Sequence, residues 1–309
     1  MDEDFCPPQI DRRRLAVLYE RSDRAGFIRL AGHGSALAAT ASLVLMASGS
    51  WLTVPAMAIH GAVLMFLFAP LHECVHRTAF RSRGLNEAVA WVCGLILILP
   101  PEYFRRFHFA HHRYTQDPTR DPELARGKPA TRVGYLWVLS GLPYWLFQVR
   151  LLLAHGLAHV DAPYLAGAAG QRVTREARLA LAIYVAIALV SIGAGSPAVL
   201  LLWVGPALLG QPWLRAFLAA EHTLCPAVAD MAANSRTTLS NALVRYFAWN
   251  MNYHCEHHLA PAIPFHRLAH AHAMLGPLVR TAASGYVRVQ VQIWNSYPLS
   301  SAPGARRPA

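Results

Sequence analysis

Four long apolar stretches run along the chain and give the sequence its main pattern. They cover about residues 28–46, 51–71, 179–192 with its flanks, and 198–217. A helix needs roughly 20 apolar residues to cross a bilayer, and each stretch approaches that length. Short uncharged turns join the first stretch to the second and the third to the fourth. We therefore predict an all-α integral membrane protein with four transmembrane helices in two hairpins.

Two further segments are apolar but are not predicted to be transmembrane helices. Residues 88–100 are too few to cross a bilayer, so we expect a re-entrant or interfacial helix there. Residues 133–153 mix apolar, aromatic and charged positions, which is typical of a helix that lies in the membrane interface. Residues 296–309 are rich in Pro, Ser and Arg and are predicted to be a disordered tail. One domain is expected over 1–309, with its core at about 28–280.

The charge pattern supports a membrane protein and orients it. The chain is 54% hydrophobic and 15% charged, against about 25% charged residues in a soluble domain. Its net charge is +11, and the basic residues lie before the first stretch, between the second and third, and after the fourth. The positive-inside rule then places both termini and the central segment in the cytoplasm, most simply at a bacterial inner membrane. No nucleic-acid-binding module accompanies the charge, so the lipid bilayer is the expected partner.

Eight histidines form three dense clusters on the side that the charge pattern makes cytoplasmic. They are His72, His76, His108, His111, His112, His254, His257 and His258. On a helix, positions i, i+3 and i+4 share one face, with Cβ atoms about 5–6 Å apart. We therefore predict that all eight converge on one site in a cytoplasmic helical cap. His222, just past the fourth stretch, is the expected ninth member.

The number of histidines indicates which metal they bind. Imidazole suits zinc, copper, iron and nickel, but a zinc site uses only three or four protein ligands. Nine imidazoles fit two metal ions, and redox-active iron fits a site beside apolar helices whose substrate is a lipid. We therefore predict two iron ions in a dimetal site.

Two other readings of the same residues remain open. His72-Glu73-Cys74-Val75-His76 matches HExxH, the zinc metalloprotease motif in which the glutamate is the general base. A membrane zinc protease would leave the second and third clusters without a role. A metal transporter without catalytic activity would need polar residues along its spans, and these spans are almost purely apolar.

The clusters resemble the three histidine boxes of the membrane fatty acid desaturase superfamily. HxxxH at 72–76, HxxHH at 108–112 and HxxHH at 254–258 have the order and separation of the family's boxes. The surrounding sequence is also similar over roughly residues 55–275, including Arg236-Thr237-Thr238. The box around Glu73 and the Arg236 stretch resemble the acyl desaturases, in particular a bacterial subgroup similar to dihydrorhizobitoxine desaturase. Some members place an Asn one turn before the histidine that precedes the third box, where this chain has Leu218.

The resemblance implies an activity and a set of ligands. It implies a diiron centre held by the nine histidines, with His222 as the ligand that precedes the third box. It implies O₂ as co-substrate and the introduction of a double bond into a fatty acyl chain. Related hydroxylases and carotenoid ketolases share similar boxes, so oxygen insertion into a lipid or carotenoid is the alternative. No catalytic residue is expected beyond the metal ligands.

Carboxylates near the boxes are candidates to orient the imidazoles through their other ring nitrogen. They are Glu73, Asp117, Asp121, Glu221 and Glu256. The alternative for each is a solvated loop charge. Walls of a substrate channel are expected from apolar residues near the cytoplasmic ends of spans two and four, with Trp213, Phe217 and Trp249 as candidates.

Electrons must come from another molecule, because the chain has no haem, flavin or iron–sulfur motif. We expect an external carrier such as a ferredoxin, which electrostatic attraction would guide to the arginine-rich face. Arg105 and Arg106, beside the second box, could bind this carrier, lipid phosphates or a substrate headgroup.

Overall fold

The computed structural model describes residues 12–299 and is predominantly helical over that range. The helices of the first half are α1 (Arg12–Ala16), α2 (Asp23–Ala47), α3 (Thr53–Met65), α4 (Phe68–His76), α5 (Arg83–Ile96), α6 (Pro101–Tyr114), α7 (Arg132–Leu139) and α8 (Leu142–Gly156). Those of the second half are α9 (Ala168–Gly193), α10 (Gly205–His222), α11 (Met231–Asn234), α12 (Ala242–Phe247), α13 (His254–Leu259), α14 (Leu268–Leu275) and α15 (Tyr286–Ser296). Two strands are present, β1 (Thr237–Leu239) and β2 (Ala282–Ser284). The predicted disordered tail lies outside the described residues from position 300 onward.

Three helical segments of the described chain are long and apolar enough to cross a membrane. They are α2, the continuous pair α3 and α4 (Thr53–His76), and α9. These match the first, second and third predicted stretches. The fourth stretch folds as a π-helical turn (Leu200–Val204) followed by α10. Because α10 carries Gln211 and Arg215 near its middle, it falls outside this most apolar set.

Two bent helix pairs raise the number of candidate spans to as many as five. Helices α5 and α6 meet at 96°, and α7 and α8 meet at 57°. The first pair contains residues 88–100 and the second contains residues 133–153, the segments for which the sequence predicts re-entrant or interfacial helices. The sharp bends fit short pieces that change direction, and they do not form straight spans.

A small parallel sheet is the one departure from the predicted all-α fold in the described part of the chain. β1 pairs with β2 in the register Thr237↔Ala282 to Leu239↔Ser284. Thr237 also forms an antiparallel bridge with Tyr253, the residue before α13. The sheet therefore fixes the start of the third histidine box through backbone hydrogen bonds. The pattern of apolar residues does not predict these bonds.

Two glycines set the distance between α3 and α10, the helices with the most extensive contact. A Cβ atom on Gly61 would lie 2.0 Å from the carbonyl oxygen of Pro206 and 2.9 Å from the amide nitrogen of Gly210. A Cβ on Gly210 would lie 2.0 Å from the carbonyl oxygen of Gly61. Small residues allow backbones to approach in this way. The contact matters for the site because α3 leads into the first box and α10 ends at His222.

Gly61→Ala should therefore destabilise the protein. The methyl group must push the two helices apart, and overpacking of this kind costs about 1–3 kcal/mol. The apparent melting temperature of protein purified in neutral detergent should fall by several degrees. Gly34→Ala is the matched control, since no atom lies within 4 Å of the added Cβ and alanine is the better helix former. Equal melting temperatures for the two variants would contradict the close contact.

Candidate metal centre

Each histidine box lies at a defined position on its helix. His72 and His76 occupy the last turns of α4, and His108, His111 and His112 lie on one face of α6. His222 is the last residue of α10, and the third box forms the first two turns of α13. Because the boxes lie on helices, their spacing aims several imidazoles at a common point, as the sequence predicts.

The second box is positioned by a carboxylate from a membrane helix. Glu176 on α9 accepts hydrogen bonds from the backbone amides of Glu102 (2.8 Å) and Tyr103 (3.1 Å) at the start of α6. These amides have no partner within their own helix, and a negative charge there is favoured by the helix dipole. Glu176 therefore fixes the origin of the helix that carries three of the nine histidines. Glu176 is not among the residues predicted for the site, although an acidic residue in an apolar helix is a recognised signal of function.

Glu73 connects the first box to the segment after the third. Its Oε2 atom accepts hydrogen bonds from the Thr78 hydroxyl (2.7 Å) and from the Phe265 amide (3.1 Å). The side chain is fully buried. Immediately after His76 the chain turns through Arg77, which has a left-handed backbone (φ 61°). Helix α4 therefore ends at the second histidine of the first box.

The end of α10 is held by side chains from two other segments. The Arg236 guanidinium donates to the carbonyl oxygens of Ala220 and, at 2.8 Å, Thr223. The side-chain amide of Gln116 donates to the carbonyl oxygen of His222 at 2.6 Å. These carbonyls would otherwise be unpaired at the helix end. His222 is thereby fixed relative to the second box and to β1.

All nine predicted histidines come together, and they separate into two neighbouring groups. The first group is His72, His76, His108, His112 and His257. The second group is His111, His222, His254 and His258. Within each group one ring nitrogen from every residue lies within 4.8 Å of the others. Residues of all three boxes mix in this arrangement: the second box sends two histidines to the first group and one to the second.

The distances between ring nitrogens are those of ligands that share a metal ion. In the first group the Nε2 atom of His112 lies 3.0 Å from those of His108 and His257. In the second, the Nε2 atom of His222 lies 2.9 Å from that of His254 and 3.2 Å from that of His111. Metal–imidazole bonds of about 2.0–2.1 Å place neighbouring ligand atoms about 3 Å apart. The residues therefore fit two metal ions.

Unpaired nitrogen atoms in the centre support the same conclusion. The Nε2 atoms of His72, His76 and His258 are buried and have no hydrogen-bond partner among the described residues. A buried polar group without a partner costs about 1–3 kcal/mol. Metal ligation removes that cost, because the nitrogen lone pair is then used.

Hydrogen bonds at the opposite ring nitrogen orient the imidazoles of the second group. His111 Nδ1 donates to the Asp121 carboxylate at 3.0 Å. His222 Nδ1 donates to the carbonyl oxygen of Asn234 at 3.1 Å, and His258 Nδ1 lies 3.3 Å from the Thr115 hydroxyl oxygen. Each contact leaves Nε2 free of a proton and directed at the group, which is the usual arrangement around metal-bound histidine.

The five carboxylates proposed to orient imidazoles have different surroundings. Asp121 contacts His111 directly, and Glu221 Oε1 lies 3.3 Å from His254 Nδ1. Glu73 is 4.0 Å from His72 and is hydrogen-bonded elsewhere.

The remaining two carboxylates contact no member of the nine. Asp117 accepts hydrogen bonds from Thr119 and Arg120 in an exposed turn. Glu256 binds the Thr237 hydroxyl and the ring of His272. Glu256 therefore connects α13 to β1 and α14. Thr115 and Asn234 perform the orienting role instead, and neither residue type distinguishes itself in the sequence.

The surroundings of the third box favour neutral imidazoles. Burial, reinforced by the neighbouring imidazoles, holds the pKa of His254, His257 and His258 well below the ordinary histidine value. Neutral imidazole is the form that binds a metal ion. The low-dielectric surroundings of these rings thus favour the ligating state.

The zinc protease alternative does not account for the arrangement of the site. A general base in HExxH must present its carboxylate to a metal-bound water. Glu73 directs one oxygen to Thr78 and Phe265 and is closed off from solvent. His72 and His76 also belong to a group of five histidines, whereas a catalytic zinc site has three protein ligands.

A large cavity of about 1110 Å³ adjoins the histidines. Its lining includes His72, His108, His111 and His254, and its aromatic walls include Phe68 and Phe104. The predicted walls Trp213, Phe217 and Trp249 do not line it. Trp249 instead packs on Phe265, and Phe217 packs on Tyr286. The cavity lies along α6 and α8, away from these residues.

Asp121→Ala should weaken metal binding while Asp117→Ala should not. Removing the Asp121 carboxylate leaves His111 Nδ1 without its acceptor, and loss of such a partner lowers metal affinity about 10- to 100-fold. Metal bound per chain during titration with a chelator measures the effect. Asp117 lies four residues away and bonds only within its own turn, so it is the matched control. Equal metal retention in the two variants would remove Asp121 from the site.

Comparison with known proteins agrees with the geometry. The family model for fatty acid desaturase matches residues 49–289. The sn-1 oleoyl-lipid 12-desaturase of Picosynechococcus sp. is 26% identical over 78% of this chain and 74% of its own length. The dihydrorhizobitoxine desaturase of Bradyrhizobium elkanii is 26% identical over 82% of this chain and 75% of its own. The sphingolipid delta(4)-desaturase of Drosophila melanogaster is 26% identical over 72% of this chain and 65% of its own length.

The family match covers all three boxes and His222, and it runs through every helix that contributes to the two histidine groups. The predicted resemblance to the fatty acid desaturases is thereby confirmed, and a dihydrorhizobitoxine desaturase is among the relatives. The chain belongs to the fatty acid desaturase family.

Proposed function

We propose that this protein is a diiron oxidoreductase that uses O₂ to introduce a double bond into a fatty acyl chain. The observation that carries the proposal is the pair of histidine groups, five and four residues, beside one cavity with aromatic walls. Imidazole-rich sites of this kind suit iron. Membership of the fatty acid desaturase family supports both the reaction and the class of substrate.

The proposed reaction balances in hydrogen, oxygen and electrons. Two hydrogens leave adjacent methylene carbons, two electrons and two protons come from outside, and one O₂ becomes two water molecules. When bound, the two iron ions would supply the activation of O₂ that oxidation of an unactivated C–H bond requires. The nine histidines would hold these ions, with the first group and the second group holding one each.

The protein's own residues would position the acyl chain and exclude water. Phe104 stacks on His108 with ring centroids 5.3 Å apart, and Phe68 lies 6.1 Å from His72. Both aromatic rings line the cavity, so an acyl chain there would pass directly over the first group. A fixed orientation of the reacting carbon is the main contribution that a protein can add to a reactive cofactor.

We further propose that the protein spans the membrane four times. Helices α2, α3 with α4, α9 and α10 would be the spans, with both termini and a helical cap in the cytoplasm, within one domain. The basic segments flanking these helices support this orientation, which suits a bacterial inner membrane. The three apolar segments of sufficient length support three of the spans.

Electrons would come from an external carrier such as a ferredoxin. Arg105 is not available for its docking, because its guanidinium is buried against Glu87 at 3.0 Å and Glu102 at 3.2 Å. Arg106 is likewise paired with Glu102. Arg105 therefore joins α5 to α6, whereas the Arg106 ion pair lies within α6. A carrier would use more exposed basic residues of the same face.

Lipid analysis of cells that express the protein tests the reaction. The expected product is two mass units lighter than its saturated precursor, since two hydrogens are lost. A product 16 units heavier would indicate the hydroxylase alternative, which the same histidine site could serve.

His257→Ala should abolish the product, since His257 lies in the first group and contacts His72 and His112. His159→Ala is the control, because His159 is exposed and belongs to neither group. Undiminished product from the His257 variant would contradict the proposed role of the centre.

A further inference from the structure

Arg215 lines the cavity beside the histidines, and its Nε–H group has no hydrogen-bond partner among the described residues. It lies on α10. Its Cζ atom sits 4.3 Å from the centroid of the Tyr144 ring, and its Nε atom is buried with no hydrogen-bond acceptor among the described residues. A guanidinium over an aromatic face keeps its five N–H donors in its own plane, where they need acceptors. This leaves a strong donor set directed into an enclosed space.

A second arginine is held in the same way at the same part of the cavity. The Cζ atom of Arg126 lies 4.2 Å from the centroid of the Phe147 ring. Tyr144 and Phe147 are three residues apart on α8, so the two rings share one face of that helix. Arg126, Tyr144, Phe147 and Arg215 all line the cavity. The two cations therefore flank one region of the cavity. Arg126 is exposed to solvent, whereas Arg215 is half-buried.

Nearby carboxylates do not neutralise this region by direct contact. Glu221 places Oε1 3.3 Å from His254 Nδ1, and Glu123 places Oε2 3.7 Å from His111 Nδ1. Both acids are thus directed at imidazoles of the second group. Across residues 12–299, the ion pairs within 4 Å include none with Arg126 or Arg215. Both acids line the same cavity and attract Arg215 from a longer distance, but neither forms a hydrogen bond with it, so its buried Nε–H group still lacks an acceptor.

The position of Arg215 relates this region to the metal centre. Arg215 precedes His222 by seven residues on α10, which is two helical turns and about 10 Å along the axis. Residues seven apart lie on nearly the same face of a helix. A group bound at Arg215 and a carbon over the histidines would therefore be separated by a short length of chain inside one continuous cavity.

We propose that Arg215, assisted by Arg126, binds the carboxylate of a fatty acid or a similar amphiphilic acid, so that the substrate enters the cavity with its charged end as well as its chain. This rests on the proposed function and specifies its substrate class. The guanidinium fork matches a carboxylate through two parallel hydrogen bonds. A cavity of about 1110 Å³ slightly exceeds the roughly 300–1,000 Å³ of small-molecule sites, so it has room for a whole amphiphile.

Binding of dodecanoate and of dodecan-1-ol tests the proposal without turnover. The two probes share a chain and differ in charge, and their dissociation constants can be measured by calorimetry with protein in neutral detergent. Wild-type protein should bind the acid about tenfold more tightly than the alcohol, the effect expected of a charge-assisted hydrogen bond. R215Q should lose that preference and keep its affinity for the alcohol.

Two further variants keep the result interpretable. R215K retains the charge and should retain part of the preference. R150Q removes an exposed arginine of α8 that does not line the cavity, and it should bind both probes as the wild type does. Bound metal per chain verifies that each variant is folded. Equal binding of acid and alcohol by the wild type, or an unchanged preference in R215Q, would overturn the proposal.

The outcome is separable from that of the proposed function. If acid binding depends on Arg215 but no unsaturated product forms, the binding site stands and the desaturation proposal fails. If unsaturated product forms while acid and alcohol bind equally, desaturation stands and the carboxylate site fails.

Discussion

The crowding of nine imidazoles in a buried space is the constraint on which the rest of the structure depends. Six of the nine are buried and the other three are half-buried. Their ring nitrogens approach one another to about 3 Å, and several of these nitrogens have no other hydrogen-bond partner among the described residues. In a low-dielectric interior such an arrangement is unfavourable unless something accepts the lone pairs. Two metal ions would satisfy that requirement, and the surrounding helices hold the imidazoles in positions to bind them.

Polar contacts between distant segments hold the imidazoles in place, because apolar packing alone could not fix the ring positions so closely. Glu176 fixes the start of α6 from the membrane helix α9, and Glu73 connects α4 to Phe265. Arg236 and Gln116 hold the end of α10. Each contact joins segments that are distant in sequence and leaves little freedom at a box. The close approach of α3 and α10 through Gly61 and Gly210 brings the first box and His222 to the same level.

The sequence predicts the parts of this protein that depend on periodicity. Long apolar runs locate α2, α3 with α4, and α9, and the i, i+3, i+4 spacing of histidines predicts their convergence. The division into groups of five and four is not predictable, because it depends on how α4, α6, α10 and α13 cross. His108 and His111 are three residues apart, yet they join different groups.

Contacts that act between distant segments also escape a reading of the sequence. Asp117 and Asp121 look equivalent in the sequence, but only the second reaches an imidazole. Thr115 and Asn234 are ordinary polar residues until the fold places them behind His258 and His222. The cavity along α8 is likewise not predictable from the sequence, since Arg126 and Arg215, which both line it, are nearly 90 residues apart in the chain.

Iron K-edge X-ray absorption of purified, iron-loaded protein, combined with metal analysis, tests the central claim most directly. The account predicts two iron ions per chain in a first coordination shell dominated by imidazole nitrogen, without sulfur from Cys74 or Cys255, which are buried within the first and third boxes. A single tightly bound metal per chain, or a shell containing thiolate, would contradict the division of the nine histidines between two metal ions.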